Sequence, residues 1–156
     1  MTHDDWMRSA IDQARAGIAD GQSPFGAAVV RGDRLVVAAH NEVWHRCDPT
    51  AHAEVVTIQK AAAALRSIDL SGCVMYTTTE PCPMCAAAIH WSRLDAVYYG
   101  ATIADAQRAG FNELSLPIDE VYRRGASRVQ IIPGVAAAEC RRLFDEWLAH
   151  RDHRAY

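Results

Sequence analysis

The feature that most constrains this chain is a pair of cysteines with two residues between them, placed where a strand-like run ends and a helical run begins. Cys82 and Cys85 follow the β-branched and aromatic run 73–79 and precede an alanine-rich run. Both thiols are therefore predicted on the first turn of a helix, where unpaired backbone N–H groups and the helix dipole favour the thiolate. Because the thiolate is the form that binds a metal ion, the pair predicts two ligands of a zinc site.

A third ligand is predicted at the start of an earlier helix. His52 and Glu54 open an alanine-rich segment that is expected to end at about Arg66. One histidine and two cysteines supply three protein ligands, and zinc held in this way keeps its fourth position for water, as catalytic zinc sites do. Zinc lowers the pKa of its water to about 7, so Glu54 is interpreted as a proton shuttle for that water and not as a ligand.

Alternating helical and strand-like segments predict an α/β fold. Apolar residues recur at helical spacing from Trp6 to Ile18, and Gly21 follows as a stop signal. Further helices are predicted over about 52–66, directly after the cysteines, near 118–124 and from about 135 to 150. Strands are predicted over 25–30, 35–39, 73–79, 96–100 and 129–132. This order indicates a central five-stranded mixed sheet with helices on both faces.

Length and composition indicate one domain over 1–156, because 156 residues that are 50% hydrophobic suffice for one core. The net charge of -3 argues against a protein that finds nucleic acid through overall charge. No apolar stretch approaches the ~18 residues of a membrane span, and the N-terminus lacks the pattern of a signal peptide. Five cysteines without small-scaffold spacing are typical of reduced thiols, so we expect a soluble cytoplasmic protein.

The metal motifs together resemble those of the cytidine deaminase-like superfamily. His-x-Glu at 52–54 followed by Pro-Cys-x-x-Cys at 81–85 is the signature of zinc nucleobase deaminases, whereas Cys-x-x-Cys alone would also suit a redox pair. Within the superfamily the chain is most similar to small bacterial guanine deaminases. The resemblance implies a three-layer α/β/α sandwich, one Zn²⁺ per chain, a homodimer, and hydrolysis of a purine amino group that converts guanine to xanthine and ammonia.

The same resemblance assigns three residues to the substrate pocket. Phe25 precedes a strand and is by itself equally compatible with a core aromatic, but the resemblance places its ring beside the purine. Asn41 follows a strand, and its amide can donate and accept at once, as the edge of a purine requires. Trp91, at the far end of the helix that carries the cysteines, is expected to close the pocket.

Two further residues are assigned in the second half of the chain. Glu113, in a Gly-Phe-Asn-Glu loop, matches an acid that contacts the base and assists proton transfer, since a carboxylate accepts from the N1–H and amino donors of guanine. Many relatives carry Asp where this chain has Asn112. Tyr156 matches a tyrosine on a C-terminal segment that is exchanged between subunits and covers the pocket of the partner.

Other activities remain open at this point. A tRNA adenosine deaminase shares both metal motifs and a similar last helix, although acids interrupt the positive charge that phosphate contacts would need there. A cytosine or guanosine deaminase would use the same chemistry. Outside this class, a non-catalytic zinc-binding module would need the three ligands but not Glu54, so the acid beside an open zinc position favours catalysis.

Overall fold

A five-stranded mixed sheet runs through the middle of the protein, as a computed structural model that describes residues 1–156 shows. Its strands are β1 (Gly26–Arg31), β2 (Arg34–His40), β3 (Cys73–Thr79), β4 (Ala96–Ala101) and β5 (Gln130–Pro133). They lie in the order β2-β1-β3-β4-β5. β1 is antiparallel to β2 and β3, whereas β3, β4 and β5 are parallel. The predicted α/β fold with a five-stranded mixed sheet is confirmed.

Seven helices surround this sheet. They are α1 (His3–Ala19), α2 (Val43–Arg46), α3 (Ala53–Leu65), α4 (Pro83–Trp91), α5 (Ile103–Arg108), α6 (Ile118–Gly125) and α7 (Ala137–Leu148). The short helices α2 and α5 were not predicted. For α5 the sequence does carry a signal, because Thr102 and Asp105 form a capping box at its start. No helix of the structure is long and apolar enough to cross a membrane.

The helices lie in two layers, one on each face of the sheet. Neighbouring residues of β1 show the division, because Ala28 packs with the apolar residues of α1 and α7 while Val29 packs with those of α3, α4 and α6. Successive side chains of a strand point to opposite faces, which explains why a continuous apolar strand can serve two cores. The result is a three-layer α/β/α arrangement.

The start of β1 lies directly against α1, with no side chain between the two backbones. A Cβ added at Gly26 would overlap the carbonyl oxygen of Ala10 and lie 2.7 Å from the backbone nitrogen of Ala14. Both alanines are fully buried. This close approach fixes where β1 begins, and therefore the position of Phe25 just before it.

Substitution of Gly26 by alanine tests this packing. A methyl group here meets backbone atoms that cannot rotate away, so we expect the free energy of unfolding to fall by roughly 1–3 kcal/mol, as for other overpacked sites. Gly125→Ala is the matched control, because a Cβ there meets nothing within 4 Å. Urea unfolding of both variants measures the difference, and equal stabilities would contradict the close approach.

Candidate metal centre

The three predicted ligands meet where α3 and α4 begin. His52 is the N-cap residue of α3, Cys82 is the N-cap residue of α4, and Cys85 lies in the first turn of α4. Their ligand atoms all lie within 4.8 Å of one another. The Nδ1 atom of His52 is 3.8 Å from the Sγ atom of Cys82 and 3.5 Å from that of Cys85.

This donor set fits zinc. Zinc–sulfur and zinc–nitrogen bonds of ~2.3 and ~2.1 Å at a tetrahedral angle place a sulfur and a nitrogen ligand ~3.6 Å apart. The two nitrogen–sulfur distances lie close to this value. Imidazole and thiolate are also the ligand types that zinc prefers. His52, Cys82 and Cys85 would therefore hold the metal.

The start of each helix leaves its ligand free for the metal. His52 and Cys82 both have extended backbone conformations, and neither side chain caps the helix that follows it. Pro83 occupies the first position of α4, where its missing N–H removes one of the donors that would otherwise need a partner. The ligand side chains therefore need not serve as helix caps.

Charge is distributed unevenly over the two thiols. A hydrogen bond from the Cys85 thiol, outweighing burial and reinforced by His52, lowers the pKa of Cys82 to about 4. The same contact with Cys82, together with burial, raises the pKa of Cys85. The negative charge of the pair therefore lies preferentially on Cys82. A divalent cation stabilises the thiolate form of both.

Glu54 lies in the first turn of α3, buried beside the ligands. Burial raises the pKa of its carboxyl, and the charge of His52 only partly opposes this effect. Burial alone would lower the pKa of His52, but its contact with Cys82 and the charge of Glu54 raise it overall. A carboxyl that readily holds a proton beside a metal is suited to proton transfer.

A second acid faces the same centre from the loop between α5 and α6. Glu113 and Glu54 line one small cavity with His52 and Cys82. Burial, with the negative charges of Cys82 and Glu54, raises the pKa of Glu113 to about 7. The two acids therefore disfavour each other's ionisation, as paired catalytic carboxyls do.

The C-terminal residue covers this cavity in its own chain. The phenol oxygen of Tyr156 accepts a hydrogen bond of 2.6 Å from Nδ2 of Asn41. The carbonyl oxygen of Tyr156 accepts one of 3.3 Å from the backbone N–H of Asn112. The Tyr156 ring centroid lies 5.6 Å from that of His52. The predicted pocket residues Asn41 and Tyr156 are thus brought to the metal ligands.

The other two predicted pocket residues differ in outcome. Phe25 lines the cavity, and its ring packs edge-on against Phe111 with centroids 4.8 Å apart. Trp91 is 81% exposed and is not among the residues that line the cavity. It ends α4, so at 1.5 Å per residue it lies ~9 Å along the helix axis from Cys85. Trp91 therefore lies away from the cavity of its own chain, and its role in closing a pocket stays a prediction.

Several residues of the site were not predicted. Glu80 and Thr79 line the cavity, and Met84, Phe111 and Leu114 line an adjoining one of about 220 Å³. Trp44 donates a hydrogen bond to the carbonyl oxygen of Arg154 and thereby holds the C-terminal tail. Glu80, Met84 and Phe111 carried a local signal, since they stand in the cysteine motif at 80–85 and in the Gly-Phe-Asn-Glu loop at 110–113. Trp44 and Leu114 are brought to the site by contacts between distant parts of the chain.

Known proteins resemble this chain along its whole length. It is 36% identical over 157 residues to a guanine deaminase of Bacillus subtilis, with both chains fully covered. It is 34% identical over 141 residues to a tRNA-specific adenosine deaminase of the same organism, covering 90% of this chain and 85% of that one. The structure of a guanine deaminase from Nitrosomonas europaea superposes with a TM-score of 0.87 at 29% identity, over 95% of this chain and 85% of that one.

A family model described as the cytidine and deoxycytidylate deaminase zinc-binding region matches residues 1–101, which include all three metal ligands and Glu54. The match agrees with the donor geometry at the starts of α3 and α4, and it confirms the expected superfamily and the zinc cofactor. This chain belongs to the cytidine and deoxycytidylate deaminase family of zinc-binding proteins.

Proposed function

We propose that residues 1–156 act as one zinc-dependent deaminase domain that hydrolyses guanine to xanthine and ammonia. The observation that carries the proposal is a pair of acids, the buried Glu54 and the half-buried Glu113, that lines one cavity with His52 and Cys82. A non-catalytic zinc module has no need for two such acids at its metal. The full-length relative that is a guanine deaminase supports the same substrate.

The proposed roles follow from what each side chain can do. Bound zinc supplies a Lewis acid that makes a water molecule acidic near neutral pH. Glu54 takes the proton of the attacking water and delivers it to the ring nitrogen beside C2 of the base. It then takes the second proton from the hydroxyl group that has added to C2 and passes it to the amino group, which leaves as ammonia as the C2–N bond breaks and the C2=O bond of xanthine forms. A raised pKa suits a residue that must both accept and release protons near pH 7.

Recognition of the base is assigned to Asn41 and Glu113. The carboxylate of Glu113 accepts from the N1–H and amino donors of guanine, and the amide of Asn41 can both donate and accept. The Oδ1 atom of Asn41 already accepts a hydrogen bond of 3.1 Å from the backbone N–H of Val43, which orients the amide. Its Nδ2 is then the group available to an acceptor on the base, in place of Tyr156.

Contact of a base with Asn41 requires the C-terminal tail to move. The cavity has a volume of about 20 Å³, room for about one water molecule. Tyr156 holds the amide of Asn41 through a direct hydrogen bond. A purine that uses Asn41 must therefore displace the Tyr156 ring, after which the tyrosine can close over it.

A homodimer in which the two subunits exchange their C-terminal tails stays a prediction. The movement of the tail that binding of a base at Asn41 requires supports it. Trp91 is proposed to contact the second subunit, because its large apolar side chain is 81% exposed in its own chain. We also infer a cytoplasmic location, since all five cysteines are free.

The second candidate is a tRNA adenosine deaminase, which the identity of 34% over 90% of the chain favours. The net charge of -3 argues against it, since phosphate contacts need a basic surface. In α7, the Nη2 atom of Arg142 lies 3.6 Å from the Oε1 atom of Glu139. Part of the positive charge of this helix is therefore already neutralised. We therefore propose that the substrate is a small purine and not a nucleic acid.

Removal of one ligand tests the metal centre. We expect the purified protein to hold one zinc per chain and Cys82→Ala to lose it during dialysis against a chelator, because only two protein ligands remain. Elemental analysis by mass spectrometry measures the zinc. Cys47→Ala is the control, since Cys47 is exposed and outside the ligand set. Equal retention of zinc by both variants would rule out the assigned site.

Neutralising the proton shuttle tests the chemistry. We expect Glu54→Gln to keep zinc and to lose ~10²–10⁴-fold in kcat for guanine, the usual contribution of a general acid–base group. Ammonia release measures turnover of guanine, guanosine, adenine, cytosine and a tRNA anticodon stem-loop. Asp12→Asn is the control, because Asp12 is an exposed acid on α1. If the wild type deaminates another member of the panel and not guanine, the assigned role of Glu113 is wrong.

Complementation between two inactive variants tests the exchange of tails. One variant carries Glu54→Gln with an intact tail, and the other keeps Glu54 but lacks residues 155–156. If the tails are exchanged, a mixed dimer has one complete site, and random pairing on co-expression gives about a quarter of the wild-type activity per chain. A tail that covers only its own site restores none, and that result would refute the exchange.

A further inference from the structure

Glu80 is a buried acid that the proposed chemistry does not use. It follows β3 and stands two residues before Cys82. Its Oε2 atom accepts a hydrogen bond of 3.1 Å from the backbone N–H of Ile103, and its Oε1 atom accepts one of 3.1 Å from that of Ile118. Both oxygens of the carboxylate therefore bind backbone groups, although the residue also lines the cavity.

These two backbone groups are the first residues of α5 and α6. N–H groups in the first turn of a helix have no partner within the helix, and a negative charge there is favoured by the helix dipole. The N-cap residue of α6 is Pro117, and α6 has no side-chain cap of its own. Glu80 therefore supplies from a distant strand what the local sequence of α6 lacks.

The same carboxylate thus holds the starts of α5 and α6 together, and the segment that carries Glu113 lies between these two helices along the chain. Residues 109–117, between α5 and α6, form neither helix nor strand. Within this segment, Phe111 is anchored against Trp147, with ring centroids 4.8 Å apart. Glu113 lies two residues beyond Phe111 and lines the cavity with Glu54.

We propose that Glu80 is a positioning residue that fixes Glu113 opposite the metal ligands by tying the starts of α5 and α6 to the end of β3. The proposal rests on the proposed function, in which Glu113 contacts the base. One short segment, 80–85, then sets two parts of the site, because its cysteines hold the metal and its glutamate holds the loop across from them.

The chemistry of the two hydrogen bonds selects glutamate at this position. Both oxygens of a carboxylate accept hydrogen bonds, whereas glutamine has one acceptor oxygen and an NH₂ group that would face a second N–H donor. Aspartate keeps the charge but is shorter by one methylene, so it cannot span both helix starts from the same backbone position. Each variant therefore releases at least one of the two helix starts.

Amide hydrogen exchange on the zinc-loaded protein tests the anchoring directly. We expect Glu80→Gln to retain one zinc per chain and to show faster exchange at Ile103, Ile118 and the 109–117 loop. Asp95→Asn is the matched control, because Asp95 accepts a backbone hydrogen bond from Gly72 at 3.1 Å, away from the metal ligands. Unchanged exchange at both helix starts in Glu80→Gln would overturn the proposal.

Kinetics separate positioning from a general loss of stability. We expect kcat/KM for guanine to fall about tenfold to a hundredfold in Glu80→Gln, as for other residues that orient a catalytic group. In Glu113→Gln the loop no longer carries its acid, so adding Glu80→Gln should cause little further loss. Losses that multiply in the double variant would show that Glu80 acts independently of Glu113, and they would refute the proposal.

Glu80→Asp distinguishes anchoring from charge, and it carries the same tests if the glutamine variant does not fold. Full activity in Glu80→Asp would mean that the charge of Glu80 matters and its reach does not, which contradicts the proposal. A wild-type protein that releases no ammonia from guanine would overturn the proposed function instead. In that case, hydrogen exchange still decides whether Glu80 holds the loop.

Discussion

The meeting of two helix starts is the arrangement on which the rest of the structure depends. His52 and Cys82 directly precede α3 and α4, and Cys85 lies in the first turn of α4. Backbone N–H groups at these helix starts have no partner within the helix. The sheet holds the three side chains within bonding distance of one ion. A parallel strand followed by a helix brings the end of β3 to this edge. The ligands can therefore be short side chains, because the backbone does most of the positioning.

Three glutamates near the metal ligands illustrate how surroundings decide the use of one residue type. The buried Glu80 accepts hydrogen bonds from two backbone N–H groups, which compensate for removing its charge from water. The buried Glu54 and the half-buried Glu113 accept no such pair of helix-start hydrogen bonds, and burial raises the pKa of both carboxyls. A carboxylate whose two oxygens accept backbone hydrogen bonds serves as a structural anchor. A carboxylate without these partners remains available for proton transfer and for contact with a substrate.

The sequence predicts local features of the site well and distant ones poorly. β3 begins and ends at the predicted residues, and His52, Cys82 and Cys85 meet as expected, because motif spacing and strand-to-helix changes are local signals. The contacts of Tyr156 with Asn41, and of Glu80 with Ile118, join residues far apart in the chain. No periodicity or composition encodes such pairs, which depend on how the layers pack. Trp91 is exposed and apart from the cavity of its own chain, so its pocket role stays an expectation from resemblance.

The division of the metal ligands between two helices links the metal to folding. Neither α3 nor α4 alone provides three donors, so a partly folded chain cannot bind the ion with native affinity. An ion that binds only the native state adds to its stability, by about 2.7 kcal/mol when free zinc is a hundredfold above its dissociation constant. The supply of zinc in the cell is thus expected to set how much of this protein survives unfolding and proteolysis, as well as how much of it is active.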